Sequence, residues 1–147
     1  MEASSEYPQV RKGEGYAVGH LDDLGGGPGF RKVRKGLGVS AFGVNAIVLP
    51  AGIETGSHYH DSQEELYFVH RGEVEMEFGD GTVEALREGS FARVDAATPR
   101  KIRNAGDVDA VYVCVGGKDG YVGRDGRVPE GEDQRVRAIH DGSEQAT

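Results

Sequence analysis

The sequence predicts an all-β protein, built as a sandwich or a barrel of short strands. Many short apolar runs, rich in β-branched and aromatic residues, are separated by Gly, Asp and Pro. Gly is abundant, with 24 residues, and the turn signals recur at the spacing that sandwiches and barrels show. A chain of 147 residues fits one domain and is long enough to bury a core.

The chain begins with a polar segment that differs from the rest. Residues 1 to about 15 predict a loose arm, and the run "YAVGHLDDL" that follows predicts an edge strand. The glycine-rich run Gly25–Gly29 predicts a loop. We therefore expect an arm and edge strand over residues 1–29, a barrel over 30–117 and a C-terminal extension over 118–147.

Regular strand patterns occupy the middle of the chain. The run "VSAFGVNAIVLPAG" predicts a buried strand that stops at Pro50. The runs "EELYFVHRG" and "EVEMEFGDG" meet near Gly72, and in the second Val74, Met76 and Phe78 alternate with glutamates. Alternation with a period of two predicts a half-exposed strand. The sequence "GDGT" then predicts a tight hairpin turn.

Further strands are predicted up to Gly117, after which the chain becomes polar. The run "VYVCVGG" contains Cys114, the only cysteine, so no internal disulfide can form. Its apolar setting predicts a packed thiol more than a reactive one. Beyond Gly117, "PEGEDQRVRAI" predicts a short helix from near Pro129, and "HDGSEQAT" predicts disorder.

Charge and hydropathy exclude several classes of partner. The formal net charge of -8 disfavours nucleic acids and anionic membranes. The basic run Phe30–Lys35 is an exception, which we interpret as the solvent-facing side of a strand. The N-terminus lacks the apolar core of a signal peptide, and no apolar run is long enough to span a bilayer. We therefore expect a cytoplasmic protein that binds neither nucleic acid nor membrane.

One stretch, "GSHYHDSQEELYFVHRG", concentrates side chains that bind metals. His58 and His60 are two positions apart, which on a strand places both imidazoles on one face. The turn after them allows Glu64 or Glu65 to enter the next strand beside the histidines. Two histidines and one carboxylate form the set typical of non-haem Fe(II), and Mn, Ni, Co or Zn fit it as well. A lone His-x-His pair, however, is more often a surface feature than a metal site.

The surrounding spacing adds a family resemblance. Gly52, His58, His60, Glu65 and Gly72 fill every defining position of a motif that resembles the first conserved motif of the cupin superfamily. The resemblance implies a jelly-roll barrel, the double-stranded β-helix. It also implies that both histidines and Glu65, in preference to Glu64, face inward to a divalent metal ion such as Fe, Mn, Ni or Zn.

The second motif of that family resembles "GSFARVDAATPRKIRNAGD", with one important departure. Gly89 and Asn104 match its first and last positions, whereas Asp95 and Ala97 stand where proline and glycine are usual. Arg100 occupies the position of the histidine that normally supplies the fourth protein ligand. Arginine is always protonated and has no lone pair for a metal, so it cannot replace that ligand. We interpret Asn104 as a structural residue.

Arg100 leaves three interpretations of the site open. In the first, three ligands hold the ion and Arg100 binds a carboxylate or phosphate group of the substrate. In the second, the metal is absent and Arg100 forms an ion pair with Glu65. In the third, another side chain completes the site: His70 falls on the wrong face of its strand, and His20 lies on a strand of unknown position. Tyr67 shares the face of Glu65, so it is a candidate hydrogen-bond donor and substrate contact. Three retained ligands favour the first interpretation.

Two classes of function follow from these interpretations. The first is a metal-dependent enzyme, oxygenase-like or isomerase-like, that acts on a small anionic or oxygen-rich molecule. The alternative is a non-catalytic cupin that binds a small ligand near Arg100, with or without a metal. The resemblance also implies a homodimer, formed through sheet edges or exchanged N-terminal strands.

Overall fold

Two five-stranded antiparallel sheets account for most of the fold. The structure is a computed structural model, which describes residues 6–131 and the backbone of residues 137–138. The strands in chain order are β1 (Arg11–Gly13), β2 (Tyr16–Val18), β3 (Gly29–Arg31), β4 (Gly43–Leu49), β5 (Ile53–Glu54), β6 (Tyr59–His60), β7 (Glu64–Arg71), β8 (Val74–Phe78), β9 (Val83–Leu86), β10 (Phe91–Val94), β11 (Arg100–Arg103), β12 (Ala110–Gly117), β13 (Gly126–Arg127) and β14 (Arg137–Ala138).

The chain alternates between the two sheets. The first sheet has the order β10-β7-β12-β4-β3 and the second the order β14-β5-β11-β8-β9, with a small β13-β6 pair beside them. From β4 onward, neighbouring strands of the chain repeatedly belong to opposite sheets, which is the connectivity of a jelly roll. The all-β jelly-roll prediction is confirmed.

The core lies between the inner faces of the two sheets. It contains Tyr67 and Val69 of β7 together with Val74 and Met76 of β8. The inward positions of both strands alternate with exposed or half-buried ones, as the period of two predicts. Gly81, at φ 90°, closes the predicted hairpin turn between β8 and β9.

The N-terminal segment is more structured than the sequence predicts. The strands β1 and β2 form a hairpin that pairs with neither large sheet, so "YAVGHLDDL" does not supply an edge strand. Tyr7, Val10 and Leu24 are buried together in a small second cluster, in place of a loose arm. The spacing of Tyr7, Val10 and Leu24 is too irregular to give a strand pattern, so the sequence does not predict that these side chains pack together. The division into 1–29, 30–117 and 118–147 stays a prediction.

Two further predictions of local structure need correction. The basic run is a strand only as far as Arg31, and Val33–Leu37 then forms the short helix α1, which ends at Gly38 in the left-handed conformation. Near the C-terminus, the described part of the predicted helix is not helical, because β14 pairs with β5. The rest of that segment and the predicted disordered tail lie outside the described residues. No helix of the described residues has the length and apolar character that a membrane crossing requires.

Candidate metal centre

Backbone pairing brings the histidine stretch beside β11. The amide of His58 donates to the Arg100 carbonyl at 3.0 Å, and the amide of Arg100 donates back to the His58 carbonyl at 2.9 Å. The amide of His60 donates to the carbonyl of Ala96 at 2.7 Å. His58 and Arg100 are therefore direct cross-strand neighbours, whose side chains lie close to one another.

The three predicted ligands converge on one point inside the barrel. Their ligand atoms all lie within 4.8 Å of one another. Oε1 of Glu65 is 3.3 Å from Nε2 of His60 and 3.7 Å from Nε2 of His58. The two imidazole rings are nearly perpendicular, with centroids 5.0 Å apart. The group of two nitrogens and one carboxylate oxygen can hold a divalent ion.

Other candidate ligands lie elsewhere. Glu64 is exposed on the outer face of β7 and pairs with Arg93 at 3.0 Å. His70 is exposed on the same strand, at the odd spacing from Glu65 that the sequence indicates. His20 is exposed and caps a short 3-10 turn at Leu21–Asp23. Neither His70 nor His20 belongs to the cluster of candidate ligands. The interpretation in which one of them replaces the missing fourth ligand is therefore wrong.

Tyr67 acts on the carboxylate of Glu65. Its hydroxyl donates to Oε1 of Glu65 at 2.6 Å, and burial raises the pKa of Tyr67, so it stays a donor. Burial by itself raises the pKa of Glu65, but the nearby imidazoles of His58 and His60 and the hydrogen bond from Tyr67 outweigh it and hold that pKa well below its usual range. Glu65 is therefore ionised and ready to act as a ligand.

Arg100 is fully buried next to this carboxylate. Its Nη2 donates to the carbonyl of Asp95 at 3.0 Å and lies 4.0 Å from Oε1 of Glu65, beyond hydrogen-bond distance. Its Nε and Nη1 have no hydrogen-bond partner among the described residues. Arg100 thus neighbours Glu65 without forming a close, bidentate pair with it, and two of its buried donor atoms lack a partner among the described residues.

The outward residues of β11 are positioned as the alternation predicts. Arg103 contacts Glu75 at 2.8 Å and Glu77 at 2.9 Å on the outer face of the second sheet.

Asn104 is buried and donates from Nδ2 to the carbonyls of Leu49 and Val108, which agrees with a structural role.

Sequence reasoning missed Asp125. This residue precedes β13 and its Oδ1 lies 2.8 Å from Nδ1 of His60, a residue 65 positions earlier in the chain. Burial raises the pKa of Asp125, but hydrogen bonds from Gln63, Ser62 and His60 outweigh this and lower it. A ligating imidazole commonly needs an acceptor on its second nitrogen, which predicts that some partner exists, but local spacing does not identify it.

The residues present fit a divalent metal ion. With Nδ1 of His60 next to Asp125, its Nε2 is buried and has no hydrogen-bond partner among the described residues, although it faces Glu65. A buried polar atom without a partner is costly unless something binds it. The side chain of His58 is 26 % exposed, against 10 % for His60 and 11 % for Glu65. The centre therefore opens to solvent at His58.

Comparisons with known proteins agree with the fold and the motif. The family model of the cupin domain matches residues 45–116, which include all three candidate ligands and Arg100. No curated protein sequence matches the chain significantly.

Solved structures of similar fold come from several organisms. A cupin protein from Bacteroides fragilis is 25% identical with a TM-score of 0.56, and the alignment covers 65% of this chain and 81% of that one. The DMSP lyase DddQ from Ruegeria pomeroyi (22% identity, TM-score 0.54) aligns over 62% of this chain and 45% of its own. The cupin domain of Cnp3 from Schizosaccharomyces pombe (16% identity, TM-score 0.51) aligns over 54% of this chain and 57% of its own. The chain thus spans less than two thirds of the length of the last two.

Proposed function

Because the chain belongs to the cupin superfamily, we propose that it is a metal-dependent enzyme acting on a small molecule. His58, His60 and Glu65 bind the divalent ion, which is Fe, Mn, Ni or Zn. The observation that supports this is the convergence of the three ligand atoms within 4.8 Å, together with the unpartnered, buried Nε2 of His60. A bound ion would supply Lewis-acid or redox chemistry at the positions that the protein leaves open.

Neighbouring residues keep Glu65 ionised and orient the candidate ligands. Tyr67 donates to Glu65 and so fixes its carboxylate, and the strand bridge between His58 and Arg100 fixes the backbone on which the first histidine sits. Partial exposure of His58 provides the side from which a small molecule enters. The apolar core below the centre excludes water from the other side.

The charges around the centre favour an anionic substrate. Glu65 and Asp125 each carry one negative charge, and Arg100 carries one positive charge that cannot be lost. With a divalent ion and neutral imidazoles, the group has one net positive charge, which a carboxylate or a phosphate group neutralises. The unpartnered Nε and Nη1 of Arg100, which are buried in this structure, are the donors that would bind its oxygen atoms. The reaction that best matches two histidines and one carboxylate is oxygenase-like, with isomerisation as the other class.

One observation favours a second candidate function. Arg100 lies fully buried at 4.0 Å from Glu65, so its charge partly takes the place that an ion would fill. In this alternative the protein is a non-catalytic, metal-free cupin that holds a small anionic ligand. The two candidates differ in whether the purified protein contains metal.

Elemental analysis of untagged protein, purified without chelator, tests the proposal. We expect about one Fe, Mn, Ni or Zn ion per chain, as a single site of this donor set requires, and its loss in a His58→Ala/His60→Ala variant. A His20→Ala/His70→Ala variant is the matched control, because it removes two exposed histidines and should keep the metal. Absence of metal from the wild type, even after reconstitution with each ion, would contradict the enzyme and favour the metal-free alternative.

A further inference from the structure

A short segment of the C-terminal extension passes over the second histidine. Strand β13 pairs with β6 so that Gly126 is opposite His60, and Arg127 anchors this pairing through a 2.6 Å contact with Asp61. The amide of Asp61 also donates to the carbonyl of Asp125 at 3.1 Å. The pairing places Asp125 directly beside the imidazole of His60. We propose that Asp125 is a positioning residue that sets the tautomer of His60 and so presents its Nε2 to the metal, an inference that rests on the proposed function.

The carboxylate of Asp125 is held by donors on both of its oxygens. Oδ2 accepts from the amides of Ser62 at 2.8 Å and Gln63 at 3.1 Å, and from the Ser62 hydroxyl at 3.2 Å. Oδ1 accepts from Nε2 of Gln63 at 2.7 Å and lies 2.8 Å from Nδ1 of His60. With both amide donors of the turn directed at Oδ2, the carboxylate cannot rotate freely. Its second oxygen is therefore fixed toward His60.

This arrangement decides which nitrogen of a neutral His60 carries the proton. An imidazole has one N–H donor and one acceptor, and a carboxylate accepts only. Asp125 lies 2.8 Å from Nδ1, whereas Glu65 lies 3.3 Å from Nε2, so the shorter contact favours the proton on Nδ1. The lone pair of Nε2 then faces Glu65 and the centre. A metal ligand needs that lone pair, and a carboxylate behind a ligating histidine orients it and strengthens its basicity.

The isosteric substitution Asp125→Asn should reverse the tautomer. The amides of Ser62 and Gln63 require an oxygen at the Oδ2 position, so the asparagine oxygen is expected there and its NH2 group faces His60. The side-chain amide of Gln63, which donates to Oδ1 in the wild type, then has to flip so that its oxygen accepts the second N–H of that group. Nδ1 must then accept, which moves the proton to Nε2 and blocks the atom that binds the metal. Side-chain shape is unchanged, and the backbone pairing of β13 with β6 is not altered.

Two measurements on the full chain test the inference. Long-range ¹H–¹⁵N spectra of metal-free protein, in alkaline buffer where the imidazole is neutral, report the tautomer of His60. Competition with a chromophoric chelator reports the Zn²⁺ affinity. We expect the Nδ1–H tautomer in the wild type, the Nε2–H tautomer in Asp125→Asn, and a loss of roughly 10–100-fold in Zn²⁺ affinity. Ser62→Ala is the matched control, since it removes one contact to Oδ2 and leaves the contact with His60.

The outcomes separate this inference from the proposed function. An Nε2–H tautomer in the wild type, or the same tautomer and affinity in Asp125→Asn, would overturn the role of Asp125. A wild type that binds none of Zn²⁺, Fe²⁺, Mn²⁺ and Ni²⁺ but shows the Nδ1–H tautomer, reversed in the variant, would refute the metal site and uphold the control of the tautomer. Equal losses of affinity in Ser62→Ala and Asp125→Asn, with the same His60 tautomer in the wild type and both variants, would contradict the inference. Asp125 would then only stabilise the turn.

Discussion

Replacing Arg100 by methionine should tighten the binding of a divalent metal ion. The guanidinium is fully buried and its Nη2 lies 4.0 Å from Oε1 of Glu65, the one carboxylate among the proposed ligands. Two cations therefore compete for the same negative charge. Methionine is unbranched, polarisable and uncharged, so it can fill much of the space that the arginine stem occupies. The substitution removes the repulsion while it leaves His58, His60 and Glu65 unchanged.

The charges set the scale of the effect. At about 4 Å and an effective dielectric constant of about 20, two unit charges interact by about 4 kcal/mol, and a divalent ion at that distance from Arg100 would interact about twice as strongly. Solvent access at His58 and the partial compensation of Arg100 by the Asp95 carbonyl reduce this value. We expect a gain of roughly one to two factors of ten in affinity, where each factor corresponds to about 1.4 kcal/mol.

Zn²⁺ competition titrations of the wild type and two variants measure this gain. Arg103→Met is the matched control, because it removes the same charge from the same strand on its outward face, where Arg103 contacts Glu75 and Glu77. The control should change the affinity little, because Arg103 lies on the outward face of the strand, where the charges of Glu75 and Glu77 balance it and salt screens it. Unchanged or weaker Zn²⁺ binding in Arg100→Met would refute the reasoning and show that the guanidinium does not compete with the ion.

Three further predictions concern the fold and the assembly. Asn104→Ala removes the hydrogen bonds to the carbonyls of Leu49 and Val108 and the bond that Gly106 donates, so the free energy of unfolding in urea should fall by about 2–3 kcal/mol. A fall of less than about 0.5 kcal/mol would contradict the structural role. Burial and the Glu65 carboxylate raise the pKa of the Cys114 thiol. Iodoacetamide at neutral pH should therefore alkylate the native protein at least roughly tenfold more slowly than the urea-unfolded chain, and equal rates would contradict a packed thiol. The homodimer stays a prediction: Phe91 is 64 % exposed on the edge strand β10, and light scattering should find a dimer that Phe91→Asp converts to a monomer; a wild-type monomer would end this idea.

Local periodicity explains why much of the candidate site was predictable. A spacing of two on a strand puts His58 and His60 on one face, and the same rule puts Glu64 and Glu65 on opposite faces, of which the family resemblance selects Glu65. The alternation also placed Arg103 outward and the core residue Met76 inward. Side-chain direction depends only on neighbouring residues of the same strand, so the sequence is sufficient to derive it.

The sequence by itself therefore determined the all-β class and, through its resemblance to the cupin motifs, the jelly roll, the three candidate ligands and the departure at Arg100. Only the tertiary structure decided that Asp125 contacts His60, that Arg100 lies beside Glu65 without a close pair, and that the N-terminal segment forms its own hairpin and apolar cluster. These contacts join residues far apart in the chain, and they depend on which strands pair and in which register. No local pattern carries that information, because pairing is chosen by the free energy of the whole packed molecule.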